Sequence, residues 1–242
     1  MSSIFHTLIS RPLYNGLIFL VGTLPFFDAG VIIIIFTVVI KFIMLPLSIK
    51  ASKSQLEMKN AEKDLNDIKI KYANNKEELA KKQLEYYKEK GINPFAGIFI
   101  LIIQFPILIG LYRVFVKTGL PVINTALLYP FISSPETINM VFLHMINISQ
   151  KSVTLAVIAA FTTYYQVTLA SAPTTKKEEE APQSDLQKAM SMQMRFVLPI
   201  IMGLVSYSIS SALALYLITS NIFAIAQEIY IRKKYHKHTL VV

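Results

Sequence analysis

The sequence contains no cysteine, four histidines and few charged residues, which make up 16% of the chain. Without cysteine there is no disulfide framework, no thiolate metal site, no cysteine nucleophile and no lipidated cysteine anchor. Average soluble domains carry about 25% charged residues, so this composition is not that of an ordinary soluble enzyme. Four scattered histidines also leave little material for a metal centre.

Apolar residues are abundant: they account for 53% of the 242 residues and give a mean hydropathy of +0.48. The charges are unbalanced, with 24 lysines and arginines against 15 acidic residues and a net charge of +9. An apolar chain with basic connecting segments is typical of a multi-pass membrane protein whose charges lie outside the bilayer. We therefore predict an all-α polytopic membrane protein.

Long apolar runs predict five transmembrane helices, since a spanning helix needs about 20 mainly apolar residues. The run 196–231 is too long for one crossing. We therefore predict two short spans there, joined by a turn in the serine-rich stretch Ser206–Ser211. The predicted spans are 29–49, 94–116, 153–172, 196–209 and 210–231.

The distribution of basic residues predicts how these spans are oriented. The segments 50–93, 173–195 and 232–242 are rich in lysine and arginine, and the positive-inside rule places them on the cytoplasmic side. The segment 117–152 is then extracytoplasmic, with the N-terminus outside and the C-terminus inside.

Residues 1–28 show polar and apolar side chains on opposite helical faces. This pattern predicts an amphipathic helix lying in the outer interface, and a sixth span there is left open.

Three cytoplasmic segments carry most of the charge. Residues 50–93 are predicted to form a helical hairpin whose return helix begins at Asn75, an N-cap residue with Glu78 three positions later. The hairpin is either a solvated connection or a docking arm for incoming chains and the ribosome. The linker 173–195 is flexible by composition. The basic tail 232–242 either contacts ribosomal RNA or anionic lipid or only anchors the topology.

Lys41 lies near the middle of the first predicted span, where a cation costs roughly 2.5 to 3.5 kcal/mol on insertion scales. The predicted spans contain no acidic residue except Glu228, near the inner end of the last one. A cation without a fixed counter-ion predicts a hydrated groove; the alternative is a lysine that snorkels to the headgroups. Polar residues on other spans suit such a groove, although each alone is equally explained as an interhelical hydrogen bond. They include Gln104, Tyr165, Gln166 and Asn221.

Several short runs, taken in chain order, carry a family resemblance. They are VVIKFIMLPL at 38–47, NPFAG at 93–97, IQFPI at 103–107, LYR at 111–113, TTYYQ at 162–166, LALY at 213–216 and TSN at 219–221, followed by Gln227. Together they resemble the YidC family of membrane protein insertases, in its short bacterial form, over nearly the whole chain. The resemblance implies a protein of the bacterial plasma membrane. Its five helices would surround a hydrophilic groove that is open to cytosol and lipid and closed on the outer side.

The resemblance also implies which residues line the substrate groove: Lys41, Gln104, Tyr165, Gln166, Tyr216 and Asn221. The sequence departs from the family pattern at Lys41, where arginine is usual, so the planar fork that binds carboxylate bidentately is lost. Ser210 and Ala212 stand in a motif that usually carries proline and glycine, and Leu217 replaces a common tryptophan. These departures concern the groove contacts rather than the fold.

The function implied by the resemblance is that of an insertase and chaperone. It would bind hydrophobic segments of nascent membrane proteins and transfer them into the bilayer, with no bond chemistry and no cofactor. The expected partners are nascent membrane proteins, the lipid bilayer and the ribosome. A Sec-type translocon is left open, no specific nucleic acid is expected, and the monomer is the functional form.

An enzyme is disfavoured because H-E-x-x-H, G-x-S-x-G and a phosphate loop are absent. The alternative is a small-solute transporter or channel, which commonly shows repeated halves that this chain lacks.

Overall fold

A computed structural model of the protein describes residues 5–93, 96–117, 120–171 and 185–236. Most of the predicted linker and the last residues of the predicted tail lie outside the described residues. The helices, in chain order, are α1 Arg11–Thr23, α2 Ala29–Asn60, α3 Glu62–Lys71, α4 Lys76–Lys90, α5 Ala96–Tyr112, α6 Val153–Ser171, α7 Asp185–Ile209 and α8 Ser211–His236. Single π-helical turns, His6–Ser10 and Arg113–Lys117, precede α1 and follow α5.

Three helical segments in the described ranges are long and apolar enough to cross a bilayer: Ala29–Met58, Val153–Ala170 and Ser211–Lys234. Two shorter apolar helices, Gln104–Phe115 and Arg195–Ile209, overlap the other two predicted spans. The strands that the structure describes are β1 Val141–Phe142 and β2 Ile146–Asn147, which form one small antiparallel hairpin. The protein is therefore an all-α membrane protein. The five-span count and its boundaries stay predictions.

The segment between α2 and α5 forms a helical hairpin outside the apolar bundle. Asn75 caps the start of α4, as predicted, because its side-chain oxygen accepts the Glu78 backbone N–H at 3.2 Å. The Tyr86 hydroxyl donates to Asp64 at 2.7 Å and links the two arms. Burial and this hydrogen bond raise the pKa of Tyr86 to about 12. Helix α2 runs without interruption from the first predicted span into this hairpin.

Helix α8 lies at the centre of the bundle, where it packs against α6, α7 and α2. Helices α6 and α8 run in the same direction. At one end Ser211 Oγ donates to the Gln150 carbonyl at 2.6 Å, and at the other Arg232 Nη2 donates to the Leu169 carbonyl at 2.6 Å. Ser210 alone separates α7 from α8, so the predicted turn in the serine-rich stretch is confirmed. Helix α5 packs on α2, and α1 packs on both.

Residues 120–150 fold over the end of the bundle where α2, α6 and α8 begin, which we call the loop end. The opposite end, toward α3 and α4, is the hairpin end. Asn15 of α1 is 1% exposed; it accepts the Tyr129 backbone N–H at 2.6 Å and donates to the Leu127 carbonyl at 2.9 Å. The Tyr14 hydroxyl accepts the Asn124 backbone N–H at 2.8 Å. Polar side chains of α1 therefore face the loop segment and hold it in place.

Candidate functional site

Three of the predicted site residues meet between helices that are far apart in the chain. Lys41 of α2 donates from Nζ to Gln104 Oε1 of α5 at 3.1 Å. Gln104 Nε2 in turn donates to the Tyr216 hydroxyl of α8 at 2.5 Å. Tyr216 is 1% exposed and also hydrogen-bonds Ser220 one turn further along α8. The buried tyrosine thus fixes the glutamine amide, and the amide oxygen faces the lysine.

The electrostatic character of this cluster follows from its partners. Gln104 is neutral, so it holds the Lys41 ammonium by a hydrogen bond without cancelling its charge. In the part of the chain that the structure describes, the ion pairs are Lys82–Glu85 in the helical hairpin and Arg232–Glu228 near the end of α8. Neither involves Lys41. The lysine is half-buried, and its ammonium has two further protons to offer a ligand.

The cluster lies where the packing of the bundle changes. The stretch Ser211–Leu217 of α8 is buried throughout, with no residue more than 6% exposed. In α2, buried residues recur from Ala29 to Thr37, and the next fully buried residue is Ala51. Ile43, two residues after Lys41, is already 72% exposed. Lys41 therefore lies one helical turn beyond the stretch of α2 where buried residues recur. We call the well-buried part of the bundle its closed part and the less buried part its open part.

The other predicted site residues lie on or against α6. Asn221 Nδ2 donates to Thr163 Oγ1 at 2.8 Å and to Thr162 Oγ1 at 3.2 Å, which joins α8 to α6. Tyr165 is 51% exposed, and Gln166 makes no side-chain hydrogen bond with the described residues. The hydrogen bonds therefore connect Lys41, Gln104 and Tyr216 into one cluster, while Asn221 makes a separate contact.

A polar contact that was not predicted joins α2 and α8 closer to the hairpin end. Ser48 Oγ lies 2.6 Å from Gln227 Nε2 and 2.9 Å from Gln227 Oε1. Ser48 follows Lys41 by seven residues, which is two helical turns and hence the same face of α2. That spacing is the signal in the sequence that relates Ser48 to Lys41. The partner on α8 cannot be read from spacing, because it depends on how the two helices pack.

The side chains of the cluster are suited to binding a ligand. It offers a cation, an amide and a phenol, which together recognise a negative or polar group by charge and hydrogen bonds. Within the described ranges no three histidine, cysteine, aspartate or glutamate side chains converge in a way that would hold a metal ion.

Long apolar helices joined by polar contacts, with a lysine among them, define an α-helical integral membrane protein. The chain belongs to the 60Kd inner membrane protein family, the YidC/Oxa1 family, whose model matches residues 21–238. The resemblance seen in the sequence is confirmed by this match. The family consists of membrane protein insertases and is not an enzyme family.

Similar proteins named membrane protein insertase YidC occur in several bacteria. The one from Fusobacterium nucleatum is 32% identical over 205 residues, which are 85% of this chain and 86% of that protein. The one from Clostridium tetani is 31% identical over 218 residues, 90% of this chain and 87% of that protein. The one from Amoebophilus asiaticus is 29% identical over 206 residues, which are only 32% of its length. These relatives and the apolar helices indicate a multi-pass bacterial membrane protein.

Proposed function

We propose that this protein is a membrane protein insertase and chaperone. It binds hydrophobic segments of nascent membrane proteins and transfers them into the bilayer along a groove that carries the charge of Lys41. Family membership and the similar insertases support the general role. The observation that supports the groove is the position of Lys41, a cation held by a neutral amide where the closed part of the bundle ends.

The proposed mechanism uses this charge to lower the cost of moving an acidic tail. A carboxylate that crosses hydrocarbon unaided costs several kcal/mol. At about 4 Å and an effective dielectric constant near 20, attraction to a lysine is roughly 4 kcal/mol before desolvation. The net gain is smaller because both groups lose water. The apolar part of the client stays in lipid, beside exposed side chains such as Phe42 and Ile43 of α2.

Gln104 and Tyr216 act as positioning residues in this mechanism. Without the glutamine, the flexible lysine side chain is free to reach the headgroups, as charged side chains near helix ends do. With it, the ammonium is held against α5 at the level of the buried tyrosine. A neutral partner leaves the charge of Lys41 available to a client, whereas an acidic partner would form an ion pair with the lysine and neutralise that charge.

The proposal includes an orientation and a set of partners. The N-terminus lies outside and the C-terminus in the cytoplasm, so clients enter from the hairpin end. The helical hairpin serves as a docking arm for incoming chains and the ribosome, and a Sec-type translocon is a further partner to be tested. The monomer carries the groove, because Lys41, Gln104 and Tyr216 all come from one chain.

The proposed function is tested by varying the charge at Lys41. Clients with one or two acidic residues in a short translocated tail are compared with clients whose tails are neutral. Insertion is measured by protease protection of the tail in cells depleted of their own insertase. Lys41→Arg should retain most activity, because the interaction needs positive charge more than a particular geometry. Lys41→Met should reduce insertion of acidic tails about tenfold, which corresponds to about 1.4 kcal/mol, and should spare neutral tails.

Lys50 provides the matched control, since it is an exposed lysine on the same helix. Lys50→Met should insert both client sets as the unmodified protein does. Lys41→Glu should be worse than Lys41→Met for acidic tails, because it adds repulsion. Equal insertion of acidic tails by the unmodified protein, Lys41→Met and Lys41→Glu would reject the electrostatic role.

A further inference from the structure

The loop end exposes large apolar side chains although it is a well-connected part of the fold. Phe26 is 87% exposed, Phe131 is 77% exposed and Met145 is 84% exposed. Leu143 is 58% and Phe27 is 45% exposed. We call these five residues the loop-end apolar surface. Large apolar patches held in contact with water are uncommon and indicate an interaction site.

Hydrogen bonds fix the segments that carry this surface. The Leu143 backbone N–H donates to Asp28 Oδ2 at 3.2 Å, which ties the tip of the β-hairpin to the start of α2, next to Phe26 and Phe27. The Ala29 backbone N–H donates to the Asn139 carbonyl at 2.8 Å. A methyl group at Gly22 would lie 3.9 Å from the Ser133 carbonyl oxygen, so the stretch after Phe131 passes beside the end of α1. The surface is therefore built from three segments that meet around the start of α2.

The backbone at the hairpin tip adds a second, independent observation. Leu143 and His144 have positive φ angles of 50° and 61°, and the Met145 N–H donates to the Phe142 carbonyl at 3.0 Å. A two-residue turn with both central residues in the left-handed region strongly favours asparagine and glycine. Here leucine occupies a central position, in a conformation that is unfavourable for it. An apolar residue kept there at a conformational cost, with its side chain exposed, indicates a contact outside the protein.

We propose that the loop-end apolar surface is seated in the lipid bilayer, at the boundary between headgroups and acyl chains. The surface is continuous along the chain with the apolar helices that cross the membrane. Phe26 and Phe27 lie just before α2, from which only Asp28 separates them, and Val153, the first residue of α6, is itself 64% exposed. The part of residues 120–150 that carries this surface thus lies within the membrane interface rather than above it.

The charge of the segment favours lipid over a protein partner. Among aspartate, glutamate, lysine and arginine, only Glu136 occurs between residues 120 and 150, and the segment also contains His144. Protein interfaces usually carry a polar rim with charged residues, whereas insertion into the interface needs apolar side chains and little charge. For the same reason the contact should depend little on anionic lipid or salt. The inference does not depend on the insertase activity, because it concerns the position of the protein in the bilayer.

The sequence contains no tryptophan, so single tryptophan substitutions report on individual positions. We suggest Met145→Trp and Phe131→Trp in the full chain, reconstituted into nanodiscs of phosphatidylcholine with brominated acyl chains. Nanodiscs expose both faces of the bilayer to aqueous iodide. Ser134→Trp is the matched control, an exposed polar position in the same segment. Phe161→Trp on α6, where the native side chain is 67% exposed, is the reference for a lipid-facing helix.

Bromolipid should quench at least half of the fluorescence of the tryptophans at 145 and 131, and it should quench the reference tryptophan at 161 to a similar extent. Iodide should quench these tryptophans weakly. The tryptophan at 134 should show the reverse. Replacing part of the lipid by phosphatidylglycerol should leave these values unchanged. Strong iodide quenching at both 145 and 131 would overturn the proposal. Protection from both quenchers would also overturn it, since it would show that protein covers the surface. The two variants are independent, and each replaces a side chain that is at least 77% exposed.

Discussion

The two halves of the bundle are built in different ways. At the loop end, α8 is buried on all sides from Ser211 to Leu217, and backbone hydrogen bonds tie it to the loop segment. Toward the hairpin end the same helix is mostly half-buried or exposed, and few of its residues are fully buried. There it is joined to its neighbours by separate polar contacts, such as Asn221 with Thr163 and Gln227 with Ser48.

Under the proposed function, stability and function are carried by different halves. Apolar helices in lipid gain little by burying apolar surface, so close packing and hydrogen bonds hold them together. The loop end is rich in both. At the hairpin end fewer residues of α2 and α8 are buried, and Lys41 has a neutral partner that leaves its charge uncancelled. The proposed function uses that charge. Substitutions at the loop end should therefore lower stability, and substitutions near Lys41 should lower activity at nearly constant stability.

The largest effect is expected from a methyl group added at Gly30, in the closed half. A side chain there would lie 2.8 Å from Phe142 Cβ and closer still to its ring, so the β-hairpin must shift. We expect Gly30→Ala to lower the free energy of unfolding by about 2 kcal/mol. Thermal and denaturant unfolding in detergent micelles measure this change.

Gly22→Ala is the matched control for this prediction. Its added methyl group would meet only the Ser133 carbonyl oxygen, at 3.9 Å, which is an ordinary contact. Because alanine is favoured over glycine within a helix, this variant should be as stable as the unmodified protein or more so by about 0.5 kcal/mol. If both variants behave alike, the closed half is less tightly packed than we describe.

An intermediate effect is expected in the open half from Gln104→Glu. The substitution keeps the shape of the side chain and places a carboxylate at the position of the amide, about 3 Å from Lys41. The lysine then has a fixed counter-ion, and insertion of clients with acidic tails should fall about tenfold while neutral tails are spared. The protease-protection assay described for Lys41 measures this loss.

Gln104→Leu separates the charge effect from the loss of the hydrogen bond. It removes the contact with Tyr216 but leaves Lys41 positive, so insertion of acidic tails should fall less than with Gln104→Glu. Both variants should unfold within about 1 kcal/mol of the unmodified protein. Normal insertion of acidic tails by Gln104→Glu would show that Lys41 does not need to be unpaired.

The smallest effect is expected from Asn221→Leu, which removes the hydrogen bonds to Thr162 and Thr163. Interhelical hydrogen bonds of this kind contribute about 0.6 kcal/mol on average, so the folding equilibrium should change about threefold. Unfolding in mixed micelles detects a change of this size. Gln166→Leu is the control, since Gln166 makes no side-chain hydrogen bond with the described residues. This variant should leave the free energy of unfolding unchanged within the error of the measurement.

Much of the site was predictable from single residues. Lys41 is identified by its charge within an apolar run, and Gln104 and Tyr216 by motifs that resemble one family. The contacts that join these residues were not predictable, because α2, α5 and α8 are far apart in the chain. For the same reason Gln166 was predicted in the groove on equal terms with Gln104, and only Gln104 contacts Lys41 in the structure.

The sequence by itself determined the class of the protein, the approximate position of its apolar helices and the family to which it belongs. These depend on hydropathy, charge and short motifs, which are properties of continuous segments. It also determined local features such as the N-cap at Asn75 and the presence of a turn within the stretch Ser206–Ser211, which the structure places at Ser210. Only the tertiary structure decided how burial is distributed along each helix, and that Lys41 lies where the well-buried part of the bundle ends. Burial and hydrogen bonding between helices depend on distances that no single segment specifies.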